Sequence, residues 1–465
     1  MGICAYLCLS VEKTMAEGTT AIIGAGIAGV AAAWALSTRG VKDIVIIDDR
    51  PPLTLTSDKS TECYRNWWPG PGDAMVALMN ASIDAMERLA DASGNVFGLN
   101  RRGYLYVTRE LAGVARLRDA ATEAAALGAG PLRQDDAAYA PSPPHGFAGQ
   151  PDGADLLTDR DAICRHFPFL APDVVAVLHA RRCGWLSAQQ LGQHLLAEAT
   201  ACGVILLAGQ VTRGERDAGS GWTLTLSSAK PQQLAASRVI NCAGPMARSV
   251  GLLLGQDLPL RSERHQKLAW EDRLGAIPRD APMLICADAL TLPWDADERA
   301  LLADDPHTAH LTGALPAGAH LRPEGHGASA WVLGLWPTHT PAVAEIFPVP
   351  LDDGEAEVTM RGLVQIVPGL QPYVDRPPRP ILDGGYYTKT RENRPLVGPA
   401  GAPGAYTISG LSGYGIMAAC GAAELLAAHI TGAPLPRYAP AFLPSRYNDP
   451  DYQALLTAWG DEGQL

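Results

Sequence analysis

The sequence predicts an α/β fold with more than one domain, and three observations support this. The chain has 465 residues, which is too long for one core and corresponds to roughly two to three domain equivalents, serial or interleaved. Residues 21–48 read as an apolar run, a glycine-rich turn, a helical stretch and a second apolar run. Residues 406–431 read as strand, glycine loop and helix. Such alternation of strands and helices is typical of α/β proteins.

The first of these segments has the spacing of a dinucleotide-binding βαβ unit. Gly24 permits a tight turn, Gly26 lets the backbone approach a pyrophosphate, and Gly29 lets the helix pack against the strand. The N-terminus of the helix offers unpaired N–H groups and a positive dipole to phosphate. Asp48 ends the second apolar run, where an acidic residue binds an adenosine ribose. The sequence therefore predicts a dinucleotide cofactor.

Composition argues against several other functions. The formal net charge is −12, whereas nucleic-acid binding requires a dense basic surface. The nine cysteines contain no CxxC pair and the eleven histidines no HExxH spacing, so we predict no metal site and reduced cysteines, as in a cytoplasmic protein. No apolar run reaches about 18 residues, so we predict no membrane span. Residues 1–17 lack a basic region and a cleavage signal, and we expect a disordered leader.

Hydrophobic periodicity and turn residues predict the remaining elements. We predict helices from about residue 74, at 111–127 and from about residue 187. We predict strands at 101–108, 221–228 and 237–245, and a buried strand at 204–207. Residues 134–157 are expected to form an irregular excursion or lid, residues 295–330 loops around short strands, and residues 436–465 a C-terminal tail.

Five further segments follow the glycine motif: TSDKSTECYR (56–65), CGWLSAQQL (183–191), SRVINCAGPMA (237–247), HLRPEGHGASAWVLG (320–334), and YYTKTRENRPLVGP (386–399) with SGLSGYGI (409–416); FLPSRY (442–447) closes the series. In this order the segments resemble the D-amino-acid-oxidase-like superfamily of FAD-dependent amine oxidoreductases, over about residues 18–447. The resemblance implies oxidation of a C–N bond in an amine or amino acid by hydride transfer to flavin N5, followed by imine hydrolysis. It also implies a Rossmann-like FAD-binding domain (18–95, 180–258 and 380–435) and an interleaved substrate domain on a mainly antiparallel sheet (96–179 and 259–379).

The resemblance also implies which residues bind FAD. They lie in the glycine turn, after the second strand, in the serine-rich loop, on a later strand and in the C-terminal glycine loop: Gly24, Gly26, Ile27, Ala28, Gly29, Asp48, Asp49, Lys59, Ser60, Thr61, Val211, Ala243, Gly244, Gly385, Gly410, Ser412, Gly413, Tyr414, Gly415 and Ile416. Loop N–H groups there would stabilise negative charge near flavin N1 and C2=O. Gly385 replaces the cysteine that monomeric sarcosine oxidases link to flavin. We expect non-covalent FAD, with Cys63 as the alternative attachment site.

On the substrate side, the resemblance points to four catalytic candidates: Arg65, His265, Tyr387 and Tyr414. Family members that oxidise small amino acids hold the carboxylate with a cation, but Met417 and Tyr387 occupy the two positions of these clamps. Arg65 is the best remaining carboxylate ligand, while Lys389 and Arg391 are equally well interpreted as solvated turn residues. We therefore expect a substrate larger or less anionic than glycine or sarcosine.

The electron acceptor and the chemistry have alternatives. Val332 lies approximately where sarcosine oxidase has its oxygen-activating lysine, and His265 or Lys267 could supply a cation instead. His265 is equally well read as a surface histidine on an edge strand. Both an oxidase using O2 and a dehydrogenase using an electron-acceptor protein therefore remain open. The other functions considered are a 2-hydroxy-acid or alcohol dehydrogenase, with His265 as base, and a flavin subunit of a hetero-oligomer.

Overall fold

The computed structural model describes residues 18–57, 59–217, 221–228, 232–325 and 329–459. The expected leader, residues 1–17, lies outside the described residues. The α-helices are α1 (Ile27–Thr38), α2 (Ala74–Ser93), α3 (Leu111–Ala124), α4 (Arg160–His166), α5 (Ala188–Ala201), α6 (Ala247–Leu253), α7 (Ala296–Asp304), α8 (Asp353–Val364), α9 (Gln371–Asp375), α10 (Gly415–Thr431) and α11 (Pro450–Ala458).

The strands, in chain order, are β1 (Thr20–Ile23), β2 (Ile44–Asp48), β3 (Cys63–Arg65), β4 (Tyr104–Thr108), β5 (Leu132–Arg133), β6 (Ala154–Leu157), β7 (Ala176–Ala180), β8 (Cys183–Trp185), β9 (Ile205–Ala208), β10 (Gln210–Arg216), β11 (Trp222–Ser227), β12 (Gln232–Ala236), β13 (Arg238–Asn241), β14 (Arg261–Glu271), β15 (Met283–Cys286), β16 (Leu290–Thr291), β17 (Ala314–Leu315), β18 (His320–Pro323), β19 (Trp331–Leu335), β20 (Ala342–Val343), β21 (Ile381–Lys389), β22 (Leu396–Pro399) and β23 (Ala405–Ser409).

The first sheet has the strand order β22-β23-β13-β1-β2-β9. Its neighbouring strands are parallel except for the β22–β23 pair. Strands β1 and β2 are almost wholly apolar because both faces of the sheet are covered. Helices α1, α2, α5 and α10 pack on one face, and the three-stranded sheet β10-β11-β12 packs on the other. The predicted α/β class is confirmed.

The second sheet has the order β20-β14-β19-β18-β15-β4-β7-β6-β5, and β21 also pairs with β14. Its neighbours are antiparallel except for β15–β4 and β5–β6. Strand β21 pairs along its length with β14, although the sequence assigned residues 380–435 to the cofactor-binding domain. This strand therefore lies where the two sheets meet, and the domain boundaries remain a prediction.

The strand predicted at residues 204–207 is present as β9, but the prediction that it is buried is wrong. Ile205 and Leu206 are 49% and 39% exposed. Among the described strands, β9 pairs with β2 alone and forms the edge of the sheet. Apolar composition indicates a strand here, but it does not indicate whether another layer covers that edge.

Two further predictions need correction. Residues 295–330 contain helix α7, which begins with a capping box in which Asp295 and Glu298 exchange side-chain to backbone bonds; this D-x-x-E signal was visible in the sequence. Residues 436–465 are not a simple tail, because Ala439–Phe442 and Pro444–Asn448 form 3-10 helices, α11 follows, and Arg446 is buried.

Other local predictions agree with the structure. Helix α2 begins at Ala74, and Ser187 caps α5 by accepting a hydrogen bond from Gln190 N. The helix predicted at 111–127 continues past Ala124 as a π-helical turn that ends near Gly128, whose φ is +101°. None of the helices in the described ranges has both the length and the apolar character needed to cross a membrane.

Candidate active site

A cleft of about 950 Å³ lies at the carboxyl ends of β1, β13 and β23, the position where open α/β sheets bind ligands. Gly24 follows β1 with φ +107°, and a Cβ there would lie 2.4 Å from the carbonyl oxygen of Cys242. A Cβ on Gly29 would lie 1.9 Å from the carbonyl oxygen of Gly24. Only glycine fits these two positions, and together they shape the turn that leads into α1.

Asp48 lies at one end of the cleft, where β2 ends. Its Oδ2 accepts a hydrogen bond from Ala25 N at 2.7 Å and its Oδ1 accepts one from Arg50 N at 2.9 Å. Burial raises the pKa of this carboxyl group. The carboxylate therefore links the glycine turn to the chain that follows β2.

The loop between β2 and β3 covers the N-terminus of α1. Ser57 Oγ accepts a hydrogen bond from Ile27 N at 3.0 Å. Thr56 lines the cleft, and its buried hydroxyl has no hydrogen-bond partner within the described residues. A buried hydroxyl without a partner is costly, so this group is available to a ligand.

The glycine loop before α10 also lines the cleft. Ser412 has φ +44°, and α10 begins at Gly415. This geometry directs the N-terminus of a long helix toward the cleft. Tyr414 uses its hydroxyl to donate to the carbonyl oxygens of Asn393 and Gly410, at 3.0 and 3.1 Å, so this hydroxyl supports the loop.

A second cavity of about 630 Å³ adjoins the cleft, and Tyr387 and Gly413 line both. The four predicted catalytic residues all line this second cavity: Arg65, His265, Tyr387 and Tyr414. Met417 lines it as well. The chain thus brings together, beside the predicted cofactor site, residues that lie far apart in sequence.

Arg65 is buried, with 7% of its surface exposed. Its guanidinium lies over the ring of Trp68, 4.4 Å from the ring centre, and its Nη1 donates to the hydroxyl of Tyr106 at 3.3 Å. No carboxylate among the described residues pairs with Arg65. A guanidinium has five N–H donors in a planar fork, so most of its capacity is available for an anion in the cavity.

His265 is buried, and its ring stacks on Tyr387 with centroids 3.8 Å apart and an interplanar angle of 16°. The alternative reading as a surface histidine is therefore wrong. His265 Nε2 lies 3.4 Å from Glu263 Oε2, and Nδ1 is buried without a hydrogen-bond partner in the part of the chain described. Burial lowers the pKa of His265, so the neutral imidazole is favoured.

The two alternative carboxylate ligands are placed elsewhere. Lys389 is buried, and its Nζ lies 2.6 Å from Glu263 Oε2. Arg391 is exposed. Lys389 is therefore neither a solvated turn residue nor a free cation, because its charge is paired with Glu263.

Most predicted cofactor residues line the cleft: Gly24, Gly26, Ile27, Ala28, Asp48, Ser60, Ala243, Gly244, Gly410, Ser412, Gly413, Gly415 and Ile416. Thr61 and Tyr414 line the second cavity.

Five predicted cofactor residues are not among the lining residues. Gly29 packs against Gly24, Asp49 is exposed, and Val211 is buried between the first sheet and the three-stranded sheet. Lys59 pairs with Asp383 at 3.2 Å, and a Cβ on Gly385 would lie 3.2 Å from Lys59 Cβ.

Val332 does not occupy a cofactor-facing position. Its side chain packs in the core of the second sheet with Trp270, on the face opposite Leu335, which lines the second cavity. Lys267 pairs in register with Leu335, and its Nζ donates to the carbonyl oxygen of Ser60 at 3.0 Å. The cation nearest the serine-rich loop on this strand is therefore Lys267.

Sequence reasoning missed Glu263 and His320 at this site. His320 lines the second cavity, its Nδ1 donates to the carbonyl oxygen of Gly318 at 2.8 Å, and burial lowers its pKa to about 4. Alternation along β14 was the available signal for Glu263, because residues 263, 265 and 267 share one face of a strand.

A family model described as "FAD dependent oxidoreductase" (DAO) matches residues 19–429. The chain belongs to this family. It is 26% identical over 416 residues to the mitochondrial dimethylglycine dehydrogenase of Rattus norvegicus, covering 88% of this chain and 42% of that protein. The match to the Homo sapiens enzyme is 27% identical over 270 residues, covering 57% and 28%. The chain therefore spans less than half the length of these curated relatives.

Solved structures of this family share the fold. L-proline dehydrogenase from P. horikoshii superposes with a TM-score of 0.70 at 17% identity, covering 93% of this chain and 98% of that one. Iminodiacetate oxidase from Chelativorans sp. BNC1 gives a TM-score of 0.66 at 18% identity, covering 91% and 98%.

FAD is the cofactor of this family, and the residues of the cleft fit it. The glycine turn leaves the backbone bare beside α1, Thr56 offers a hydroxyl without a partner in the described residues, and the N-termini of α1 and α10 both border the cleft. Cys63 lines the second cavity rather than the cleft, and its Sγ lies 3.2 Å from the carbonyl oxygen of Thr61. Non-covalent binding remains our prediction.

Proposed function

We propose that the protein oxidises a C–N bond in an amine that carries a carboxylate, an amino acid in the broad sense. The observation that carries this proposal is Arg65, a guanidinium buried beside the cofactor cleft without a carboxylate partner in the described residues. A substrate carboxylate bound there would form charge-assisted hydrogen bonds through the N–H groups that Tyr106 does not use.

The rest of the second cavity supports a substrate larger or less anionic than glycine or sarcosine. Met417 occupies the position of the second clamp cation, so a single arginine faces the anion. Trp68, Tyr104 and Tyr387 supply aromatic walls in a cavity of about 630 Å³. Apolar walls with few polar groups suit an apolar substituent on the nitrogen or on the α-carbon.

FAD, when bound, supplies the hydride acceptor. Arg65 binds and orients the substrate, and the aromatic walls exclude water from the reacting carbon. His265 lines the same cavity, and its buried Nδ1 has no hydrogen-bond partner among the described residues; in our proposal this nitrogen accepts a proton so that the amine lone pair assists hydride loss. The imine product then hydrolyses in water.

A 2-hydroxy acid is the second candidate substrate, and His265 is the observation that favours it. Oxidation of an alcohol requires a base for the hydroxyl proton, and the neutral, buried imidazole meets this requirement. Arg65 would hold the carboxylate of either substrate. The electron acceptor in our proposal is O2 or an acceptor protein, and Lys267 is the cation that would favour reduction of O2.

An anaerobic screen of N-substituted amino acids, D- and L-amino acids and 2-hydroxy acids, read as loss of flavin absorbance, tests the proposal. We expect an amino acid with an apolar substituent to reduce the flavin, and the R65M variant to retain FAD but lose this reaction. Reduction by 2-hydroxy acids alone would establish the second candidate. A high specificity constant for glycine, sarcosine or D-alanine would contradict the proposed substrate size. Reoxidation by air, compared with an artificial acceptor, separates oxidase from dehydrogenase.

A further inference from the structure

The pairing of β14 with β21 places the side chains of Glu263, His265 and Lys389 in one buried row. Glu263 lies opposite Tyr387, and His265 lies opposite Gly385. Because Gly385 has no side chain, the imidazole of His265 has room to lie over Tyr387, its diagonal neighbour across the strands. Lys389, two residues beyond Tyr387, points to the same face.

The row is connected by short contacts. Lys389 Nζ lies 2.6 Å from Glu263 Oε2, and the same oxygen lies 3.4 Å from His265 Nε2. All three residues are buried. The order is therefore cation, carboxylate and imidazole, and the imidazole is the member that lines the second cavity.

The row determines which imidazole nitrogen carries the proton. Despite burial, hydrogen bonds from His265 and Lys389 lower the pKa of Glu263 to about 2, so the carboxylate is ionised and can only accept. The neutral imidazole must then carry its proton on Nε2. Its Nδ1 consequently has a free lone pair, and this atom is buried without a partner among the described residues.

We propose that Glu263 and Lys389 are positioning residues that fix His265 as the proton acceptor of the proposed oxidation. This inference rests on the proposed function. In the step, the substrate N–H bond of an ammonium group breaks and an Nδ1–H bond forms on His265. The electron pair of the broken bond stays on the substrate nitrogen, and the resulting imidazolium is stabilised by the carboxylate of Glu263.

The pH dependence follows from the groups whose charges act on His265. These are Glu263 and Arg264 on β14, Lys389 on β21 and His320 on β18. Burial, Lys389 and Arg264 lower the pKa of His265, whereas Glu263 raises it. The kcat/KM of the wild-type enzyme should therefore rise with pH through a pKa below 6.5, the ordinary value for histidine.

Two substitutions should move this pKa in opposite directions. In E263Q the anion is lost, so the acid limb of kcat/KM moves to lower pH, and the plateau falls about tenfold or more because glutamine does not fix the tautomer. In K389M the repelling cation is lost, so the acid limb moves to higher pH, and K389R restores it. A purely structural role would not produce opposite shifts. The matched control is E271Q on the same strand, whose carboxylate pairs with Arg273 at the surface.

Nitrogen NMR of the ¹⁵N-histidine-labelled holoenzyme provides a readout that does not depend on substrate. We expect the His265 signals, assigned with H265Q, to show protonated Nε2 and unprotonated Nδ1, and a mixture of tautomers in E263Q. Protonation on Nδ1 in wild type, or unchanged acid limbs in both E263Q and K389M, would overturn the proposal. If no amine or hydroxy acid reduces the flavin, the proposed function fails instead, whatever the tautomer.

Discussion

Arg446 and Arg65 are equally buried, with 6% and 7% of their surfaces exposed, but their surroundings differ. Arg446 donates to Glu392 Oε1 through Nε at 3.2 Å and Nη2 at 2.7 Å, and through Nη1 to the carbonyl oxygen of Pro395 at 3.0 Å. Tyr447 and Tyr452 donate to the same carboxylate oxygen, each at 2.8 Å. Arg65 has one hydroxyl and the face of Trp68.

The hydrogen bonds of these two arginines distinguish a buried charge that stabilises the fold from one that is available to a ligand. A buried charge is costly unless it is paired and hydrogen-bonded. Arg446 meets this condition within the chain and fixes the C-terminal residues against the turn after β21. Arg65 does not, so the protein retains a buried cation that only a bound anion would satisfy. Residue type and burial are the same, and the hydrogen bonds decide the role.

The largest effect should come from breaking the network around Arg446 and Glu392. We expect R446M to lower the free energy of unfolding by about 3–5 kcal/mol, because Glu392 is left buried without its cation. Urea denaturation in excess FAD measures this, and the R446M/E392Q double variant should recover part of the loss. Turnover per folded molecule should change little. A loss below about 1 kcal/mol would show that Arg446 is not the anchor of this region.

Substitution of Arg65 should reduce activity and leave stability unchanged or higher. We expect R65M to lower kcat/KM by about 30-fold or more, corresponding to the 2–5 kcal/mol typical of a truncated buried charge pair. The free energy of unfolding should stay equal or rise, since an unpaired buried charge is removed. R109M, which breaks the surface pair with Asp173, is the matched control. Equal destabilisation by R65M and R446M would remove the distinction between the two arginines.

The glycine turn and Asp48 were visible as local sequence signals, and their roles in binding FAD stay predictions. Gly24, Gly29 and Asp48 act within one βαβ unit, where spacing along the chain sets geometry in space. The helix starts at Ala74 and Ser187 were visible for the same reason, because periodicity and caps are local.

The substrate half could not be predicted to the same depth. The contact of Glu263 with Lys389 depends on the register of β14 against β21, which are far apart in the chain. A strand register is set by packing across the whole sheet. The same limit explains β9, whose apolar residues are exposed at an edge where the described part of the chain adds no further strand. For the same reason, the sequence could not distinguish Lys389 from a solvated turn residue.

A third buried arginine, Arg322, is only partly satisfied by hydrogen bonds within the described residues. Its Nε donates to the carbonyl oxygen of Thr61 at 2.6 Å, but Nη2 lies 3.8 Å from Glu62 Oε2 and has no hydrogen-bond partner within the described ranges. Burial raises the pKa of Glu62 to about 7, from 4.5. The proximity of Arg322 therefore does not compensate the desolvation of this carboxylate.

We expect the E62Q variant to become more stable than wild type as the pH rises. A folded-state pKa above the unfolded value contributes stability below pH 4.5, and this is lost as the pH rises through about 7. Each pH unit in that window changes stability by about 1.4 kcal/mol, so the gain by pH 8 should be on the order of 3–4 kcal/mol. Urea denaturation at pH 4.5 and pH 8 measures it. A difference independent of pH would mean that Glu62 is well paired, like Glu392.

The smallest effect is expected at Asp48, which tests most directly whether hydrogen bonds within the chain identify a structural charge. Both of its oxygens already accept backbone hydrogen bonds, so it resembles Glu392, yet we predict that it binds the ribose of FAD. A carboxylate has about four acceptor positions, so two remain for ribose hydroxyls. D48N keeps the shape but loses the charge, and we expect FAD to bind about 5–30-fold more weakly, corresponding to about 1–2 kcal/mol.

Calorimetric titration of the apoprotein with FAD, with D43N in the turn before β2 as control, separates the two roles of Asp48. Asp43 has φ +53°, a conformation that asparagine tolerates, so D43N should bind FAD normally. If D48N destabilises the apoprotein and leaves the affinity for FAD unchanged, Asp48 belongs with Arg446. In that case hydrogen bonds satisfied within the chain would suffice to identify a structural charge. If the affinity for FAD falls, hydrogen bonds within the chain identify a structural arginine, because its partners use all its donors. They do not identify a structural carboxylate, because a carboxylate keeps unused lone pairs.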